Sequence, residues 1–316
     1  MSERATPGAA RRRLDADRWH FQHGPIDCIV SAEGHAGAVD AAIESAWARF
    51  RTLLDELVDE LPLLRADLSG AFAVPRGRVA RRMVDACRPH GEHGRFITAM
   101  AAVAGSVAEE LLEAFDDPRI ARASVNNGGD IALRLTPGTS FEVGVCADPR
   151  RGVVGAALDG RFAIAASSPV RGVATSGWRG RSFSLGIADS VTVLATTASR
   201  ADAAATIVAN AVDVDAAGIV RAPASAIRDD SDLGDRLVVR AVPPLDRALV
   251  DLALARGAAE ARTQIDAGRI IGTVISLQGR WRVVGTVGSE PGRDAALAES
   301  TALAPRLRHE PVVAVC

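Results

Sequence analysis

The sequence predicts an α+β fold in which mixed or antiparallel sheets pack against separate helices. Three observations favour this class. Short apolar strands follow one another at Gly-containing turns, which is typical of antiparallel hairpins. Long segments with apolar residues at helical spacing stand apart from those strands. The regular alternation of strand and helix that builds a doubly wound parallel sheet is missing.

Length and composition set the first limits on function. The 316 residues suffice for one large domain or two ordinary ones. A hydrophobic content of 48% and a net charge of −2 indicate a globular chain without a nucleic-acid or membrane partner. All 37 basic residues are Arg, so no lysine can serve in catalysis and Arg-rich segments carry less meaning. No secretory signal and no apolar run of membrane length is found, so we expect a cytoplasmic protein.

The first third of the chain alternates strands with helical segments. We expect residues 1–17 to form a flexible arm, and Trp19 to Ser31 to form one strand or a strand pair broken at Gly24-Pro25. Apolar residues recur at helical spacing from His35 to Leu61, which predicts a long amphipathic helix. A short helix is expected from Arg78 to Cys87 and another helix from Phe96 to Phe115. Small residues in the second would allow close packing or would make room for a ligand.

Two units are expected beyond the arm. Residues 18–212 are predicted to form the core, and residues 213–316 a second subdomain that completes the fold and ends in a weakly ordered tail from Gly288. In the second unit, a polar connection from Val214 to Asp235 precedes a long helix from Leu245 to Ala267. Strands are expected at residues 121–125, 131–135, 141–146, 152–158, 162–166, 170–174, 191–196, 270–276 and 281–287.

The stretch Val125-Asn126-Asn127-Gly128-Gly129-Asp130-Ile131 is the most unusual turn of the chain. Apolar runs precede and follow it, which predicts two strands joined by a tight turn. Five polar or glycine residues exceed what a plain hairpin needs. Two interpretations stay open: a solvated β-turn, or a loop whose adjacent glycines let backbone N–H groups face a phosphate.

A second polar constellation lies on a predicted helix from Ser199, a candidate N-cap, to Asn210. Asp202 and Thr206 are four residues apart, which places a carboxylate and a hydroxyl on one face, one turn apart. Hard oxygen ligands at this spacing suit Mg²⁺. The alternative is that Asp202 complements the helix dipole and Thr206 has no ligand.

Four motifs occur in an order that resembles the ApbE family of flavin transferases: V-N-N-G-G-D-I, G-V-A-T-S-G, a V-T-V strand and A-D-A-A-A-T. The resemblance spans residues 96–212. The chain is similar to an ApbE-like branch of bacterial and archaeal proteins without an assigned activity, through F-I-T-A-M-A-A-V-A-G-S-V-A, N-N-G-G-D-I-A-L and G-I-A-D-S-V-T-V. The resemblance implies a T-fold-related architecture and a cytoplasmic member of the superfamily.

The resemblance also implies a ligand and a reaction. FAD would bind with its pyrophosphate bridged by Mg²⁺, and FMN would pass to a Thr of an acceptor protein with release of AMP. Asp202 and Thr206 match the Asp and Thr that bind the metal in the family, and a backbone carbonyl near Val103 would complete the site. Contacts to the cofactor are implied for Asn127, Gly128, Gly129, Asp130, Thr175, Ser176 and Gly177.

The chain departs from the flavin transferases at two places. They carry H-I-x-D-P-x-T-G where this chain has only Trp178 to Ser190, and their K-G-x-x-x-D segment reads Ala104 to Glu109 here. We therefore assign no catalytic residue. Two functions stay open: binding of a flavin or another phosphate-bearing ligand with Mg²⁺, with or without FMN transfer, and a non-catalytic accessory role on the same fold. Exposed sheet edges would allow a homodimer.

Overall fold

The computed structural model describes residues 8–145, 160–287 and 312–315. Its α-helices are α1 Ala36–Asp59, α2 Leu61–Leu64, α3 Arg78–Gly91, α4 Val103–Leu112, α5 Ala198–Ala211, α6 Ala224–Ile227 and α7 Arg247–Asp266. Its strands are β1 Ala10–Arg13, β2 Arg18–His23, β3 Ile26–Gly34, β4 Ile120–Asn127, β5 Asp130–Leu135, β6 Ser140–Val145, β7 Gly160–Ala165, β8 Gly172–Ser176, β9 Ser190–Ala195, β10 Val220–Pro223, β11 Leu237–Ala241, β12 Gly272–Leu277, β13 Arg280–Gly285 and β14 Val312–Val315. Short 3-10 helices occupy Glu92–Gly94, Ala99–Ala102 and Glu113–Phe115.

A nine-stranded sheet organises the described ranges, in the order β1-β2-β3-β4-β5-β8-β9-β12-β13. Each neighbouring pair in it is antiparallel. Strands β6, β7 and β14 form a smaller sheet that includes the parallel pair β14 and β6, and β10 pairs with β11 in a separate ribbon. The predicted α+β class with mixed and antiparallel sheets is therefore confirmed.

Different layers pack on the two faces of the large sheet. Side chains alternate along β5, so Ala132 packs with the helices whereas Ile131 and Leu133 pack against the smaller sheet. Beyond it in the strand order, α5 and α7 cover β8, β9 and β12 with a second apolar cluster that includes Ala205 and Leu254. The antiparallel sheet thus has helices along one face, and the smaller sheet covers part of the other face, at β5, β8 and β9.

Several local expectations differ from the structure. Strand β1 lies within the predicted flexible arm and pairs with β2. The ribbon strand β10 and helix α6 lie in the segment expected to be a polar connection. Helix α4 begins only at Val103, because the residues before it form a 3-10 turn. The N-cap of α5 is Thr197, whose hydroxyl accepts a hydrogen bond from the Arg200 amide, so the prediction of Ser199 is wrong.

Two expectations lie outside the described residues: the strand at 152–158, and the weakly ordered tail apart from β14. The domain boundary at 212 stays a prediction, although β12 and β13 extend the same sheet as the core strands. The homodimer also stays a prediction, with β1 and β13 as the edge strands of that sheet. No helix in the part of the chain that the structure describes is both long and apolar enough to cross a membrane.

Candidate functional site

A pocket of about 810 Å³ opens where the β4–β5 turn, the end of β8 and helix α5 meet. It is lined by every residue predicted to contact a cofactor or metal: Asn127, Gly128, Gly129, Asp130, Thr175, Ser176, Gly177, Asp202 and Thr206. The three motif-bearing corners are therefore neighbours in space despite their separation along the chain. Their roles toward a ligand stay predictions.

The β4–β5 turn is shorter than the sequence suggests. Asn127 pairs with Asp130, so only Gly128 and Gly129 form the turn. Their φ angles of 66° and 110° are conformations that favour glycine. The Gly129 amide donates to Asn126 Oδ1 at 2.8 Å and is used within the turn. This hydrogen bond uses one of the amides that a phosphate-binding loop would offer, and the contact of Gly129 to a cofactor stays a prediction.

Asp130 connects this turn to strand β8. Its Oδ1 accepts a hydrogen bond from the Thr175 amide at 3.1 Å, and the Thr175 hydroxyl lies 2.9 Å from the Thr192 hydroxyl. Burial raises the pKa of Asp130 to about 7, while the Thr175 amide and the charge of Arg181 act in the opposite direction. The G-G-D-I and T-S-G corners are thus in direct contact.

Asp202 connects helix α5 to the first turn of α4. Its Oδ2 accepts a hydrogen bond from the Gly105 amide at 2.9 Å. Burial raises the pKa of Asp202 well above its usual value and the charge of Asp130 adds to this, whereas hydrogen bonds from the Gly105 and Ala104 amides lower it. Asp130 and Asp202 are therefore close enough to titrate as an interacting pair at the base of the pocket.

Glu109 makes the reciprocal contact from α4 to α5. Its Oε1 accepts a hydrogen bond from the Ser199 amide at 2.6 Å, and its Oε2 lies 3.1 Å from Arg82 Nε. Each helix thus supplies a carboxylate to amides in the first turn of the other, where negative charge is favourable. The approach is close, because a Cβ at Gly105 would overlap the Ala198 carbonyl oxygen. These contacts fix Asp202 relative to α4.

The base of the pocket has the donor chemistry of a hard-cation site. Asp202 and Thr206 both line it, one turn apart on α5, and Asp130 adds a second carboxylate. Oxygen donors of this kind suit Mg²⁺, which also keeps water or phosphate oxygens as ligands. Within the described ranges, no group of three or more His, Cys, Asp or Glu side chains could hold a metal by itself. Water, a backbone carbonyl or a ligand phosphate would have to complete the shell.

The motifs did not identify two further walls of the pocket. Arg179 and Arg181 line it from the loop that follows β8. The sequence R-G-R follows T-S-G after one residue, Trp178, but the use of Arg for every basic residue obscured this signal. The second wall is the loop from Arg228 to Leu233, which comes from the last third of the chain. No motif marked that loop.

The loop from Arg228 to Leu233 is tied to the pocket at two points. Arg65 Nη2 donates to Asp230 Oδ2 at 2.9 Å, and the Thr98 hydroxyl donates to Asp232. The pocket also has an apolar lining, to which Phe96, Met100, Phe183 and Leu233 contribute. Polar and apolar groups in one concave site are typical of ligand pockets.

The chain is similar to several known proteins. The family model described as AbpE bacteria matches residues 10–283. A UPF0280 protein of Methanopyrus kandleri is 38% identical over 133 residues, which cover 42% of this chain and 48% of that protein. A UPF0280 protein of Methanothrix thermoacetophila is 31% identical over 243 residues, which cover 72% of this chain and 93% of that protein. Among solved structures, a mutant of the flavin transferase ApbE from Vibrio cholerae aligns with a TM-score of 0.44 at 14% identity, covering 85% of this chain and 97% of that one.

Proposed function

The chain belongs to the family described as AbpE bacteria, and we propose that its pocket binds a flavin nucleotide, FAD or FMN, together with Mg²⁺. Membership confirms the ApbE-like resemblance of the four motifs. One observation carries the proposal: the G-G-D-I, T-S-G and A-D-A-A-A-T corners line a single pocket that has two interacting carboxyl groups at its base. In the flavin transferases that these motifs resemble, the same corners serve FAD and its metal.

Asp202 and Thr206 are the residues that would hold the cation. The contacts between α4 and α5 hold Asp202 in place before any ligand arrives. A bound Mg²⁺ would neutralise charge on the phosphate groups of the ligand. Because burial and mutual repulsion disfavour the ionised forms of Asp130 and Asp202, a cation between them would also stabilise both carboxylates.

The size and lining of the pocket support a ligand with a large planar ring. A volume of about 810 Å³ lies in the range that holds ligands of this class. Phe96 and Phe183 supply aromatic surface, and Met100 supplies an adaptable apolar one. The isoalloxazine ring would pack against these side chains, while the phosphates would face the polar corners.

A second candidate is a binding or accessory protein that does not transfer FMN. The loop after β8 favours it. This loop stands where the flavin transferases carry their His-containing motif, and it makes a different set of contacts. There Arg179 Nε donates to Asp189 Oδ1 at 2.7 Å, and its guanidinium lies 4.6 Å from the ring centroid of Trp178. Asp189 also accepts a hydrogen bond from the Gln278 amide at 2.6 Å. These contacts hold the loop after β8 to the turn between β12 and β13, and they include no histidine that could act in catalysis.

Titration with FAD, followed by flavin fluorescence, tests the proposal. We expect wild type to bind FAD more weakly in EDTA than in Mg²⁺, and Asp202→Ala to lose most of the affinity measured in Mg²⁺. Asp55→Ala, which removes an exposed carboxylate on α1, is the matched control and should bind as wild type does. If wild type does not bind FAD at high micromolar concentration, the flavin proposal is wrong.

Mass spectrometry of a Thr-containing acceptor protein, incubated with FAD, Mg²⁺ and this protein, separates the two candidates. A mass increase equal to that of FMN less one water, as expected for a phosphoester formed on Thr with release of AMP, supports transfer. An unmodified acceptor, together with measurable FAD binding, supports the second candidate.

A further inference from the structure

Arg181 occupies an unusual position at the pocket. Its guanidinium packs so closely on the β4–β5 turn that a Cβ at Gly128 would overlap it. Two conditions at position 128 therefore require glycine: the positive φ, and the space that the Arg181 side chain occupies. The turn, which the sequence left open as a solvated β-turn or a phosphate-binding loop, makes room for an arginine.

Arg181 differs from the other arginines of this pocket. Three others line it and each has a partner: Arg65 with Asp230, Arg179 with Asp189, and Arg228 with the ring of Phe183. Arg181 is exposed and makes no hydrogen bond, ion pair or ring contact with any residue in the described ranges. Its five N–H donors are thus available to a ligand.

Arg181 is not the salt-bridge partner of Asp130. Its charge lowers the pKa of Asp130 and of the buried Cys28 thiol, but burial outweighs it and the pKa of Asp130 stays near 7. Asp130 forms no ion pair with Arg181, and its Oδ1 accepts a hydrogen bond from the Thr175 amide instead. The positive charge of Arg181 is therefore near the pocket without being neutralised there.

We propose that Arg181 binds a phosphate group of the ligand and makes the pocket selective for phosphate-bearing flavins over neutral ones. The inference rests on the proposed flavin function and adds a residue to it. A planar guanidinium can donate two parallel hydrogen bonds to phosphate oxygens, which gives strength and orientation. The remaining lining is rich in aspartates, so an anionic ligand needs this side chain in addition to a bound cation.

The test compares two ligands with the same ring. FMN carries a phosphate, whereas riboflavin does not. With Mg²⁺ held constant, we expect wild type to bind FMN more tightly than riboflavin. In Arg181→Gln, we expect FMN affinity to fall about tenfold or more while riboflavin affinity stays unchanged. Arg181→Lys keeps the charge but loses the paired donors, so its FMN affinity should be intermediate.

A matched control and the opposing results complete the design. Arg12→Gln removes an exposed arginine on β1 and should leave both affinities as in wild type. If Arg181→Gln binds FMN as tightly as wild type, the inference is wrong and the flavin proposal survives. If the variant loses affinity for FMN and riboflavin equally, Arg181 supports the structure of the pocket and does not bind the phosphate. That result also overturns the inference.

Failure of the flavin proposal would give a different pattern. Wild type would then bind neither FMN nor riboflavin, and calorimetric titration with ADP and with inorganic pyrophosphate would replace the flavins as probes. Binding of either probe that weakens about tenfold in Arg181→Gln would support a phosphate-binding arginine without a flavin. If wild type binds neither probe, both the flavin proposal and the inference about Arg181 are wrong.

Discussion

The carboxylate of Asp202 accepts a hydrogen bond from the Gly105 amide at 2.9 Å, and this contact joins the beginnings of helices α4 and α5. The acidic base of the pocket is therefore part of the packing between two helices. The side chain proposed to bind a cation is held by backbone amides, so its position does not depend on a flexible loop. Stability and ligand binding are consequently linked at this point of the fold.

Gly105→Ala tests how close the two helices lie. The added methyl group would overlap the Ala198 carbonyl oxygen, which belongs to backbone and cannot move independently. We expect a loss of about 1–3 kcal/mol in the free energy of unfolding, measured by urea denaturation. Gly70→Ala is the control, because no atom lies within 4 Å of the added Cβ there. Equal stability of the two variants would contradict the close packing of α4 and α5.

Asp130→Asn tests the raised pKa of this carboxyl group. Folded wild type keeps the proton up to a pH of about 7, whereas the unfolded chain releases it near pH 4. The free energy of unfolding contributed by this group therefore falls as pH rises from about 4 to 7. Asn keeps an acceptor for the Thr175 amide and cannot ionise.

In EDTA, we expect Asp130→Asn to gain stability relative to wild type between pH 5 and pH 8, by about 1 kcal/mol or more. Urea unfolding at the two pH values measures this difference, and comparison with wild type cancels the titration of distant groups. Asp55→Asn, an exposed carboxylate, should show no such change. A stability difference that stays the same at both pH values would mean that Asp130 titrates normally.

Glu110→Ala tests the buried ionic cluster that Glu110 forms with three arginines. The Glu110 side chain is fully buried and bonded to Arg49 at 2.6 Å, Arg78 at 2.7 Å and Arg82 at 3.0 Å. Removal would leave the three guanidinium groups, from α1 and α3, without their shared partner, and we expect a loss of about 3 kcal/mol in thermal or urea unfolding. Glu44→Ala breaks an exposed pair and should cost less than about 1 kcal/mol. Similar losses for both variants would argue against a buried cluster.

The hairpins and long helices were predictable because local patterns determine them. Helix α1 buries Ile43, Phe50 and Leu57 at helical spacing, and β12 and β13 meet at a two-residue turn of Gln278 and Gly279. In such elements the apolar period reports which face is buried. The motifs also brought the expected residues to one pocket, since each motif lies at the end of a strand or the start of a helix.

The remaining elements depend on distant partners. Strand β10 contains Pro223 and lacks an apolar alternation, so only its pairing with β11 defines it. Strand β1 is exposed along its whole length and is defined by β2. The proposed role of Arg181 depends on the space left by Gly128 and on the lack of a partner among the described residues, and no sequence pattern reports either property.

Gly128→Ala separates backbone strain from the position of Arg181. The substitution costs about 1 kcal/mol because φ is positive, and it also displaces the guanidinium. Gly138→Ala has the same sign of φ but nothing within 4 Å of the new Cβ. We expect similar losses of thermal stability in both variants, and weaker FMN binding only in Gly128→Ala. If FMN affinity is unchanged in both variants, Arg181 does not bind the ligand.

The central claim is that one pocket holds a flavin phosphate and a divalent cation between the three motif-bearing corners. The most direct measurement is a crystal structure of the protein with FAD and Mn²⁺ in place of Mg²⁺, with anomalous scattering to locate the metal. We predict an anomalous peak within coordinating distance of the Asp202 carboxylate and the Thr206 hydroxyl, with a flavin phosphate next to it. An ordered flavin bound elsewhere, or a metal away from Asp202, would contradict the account.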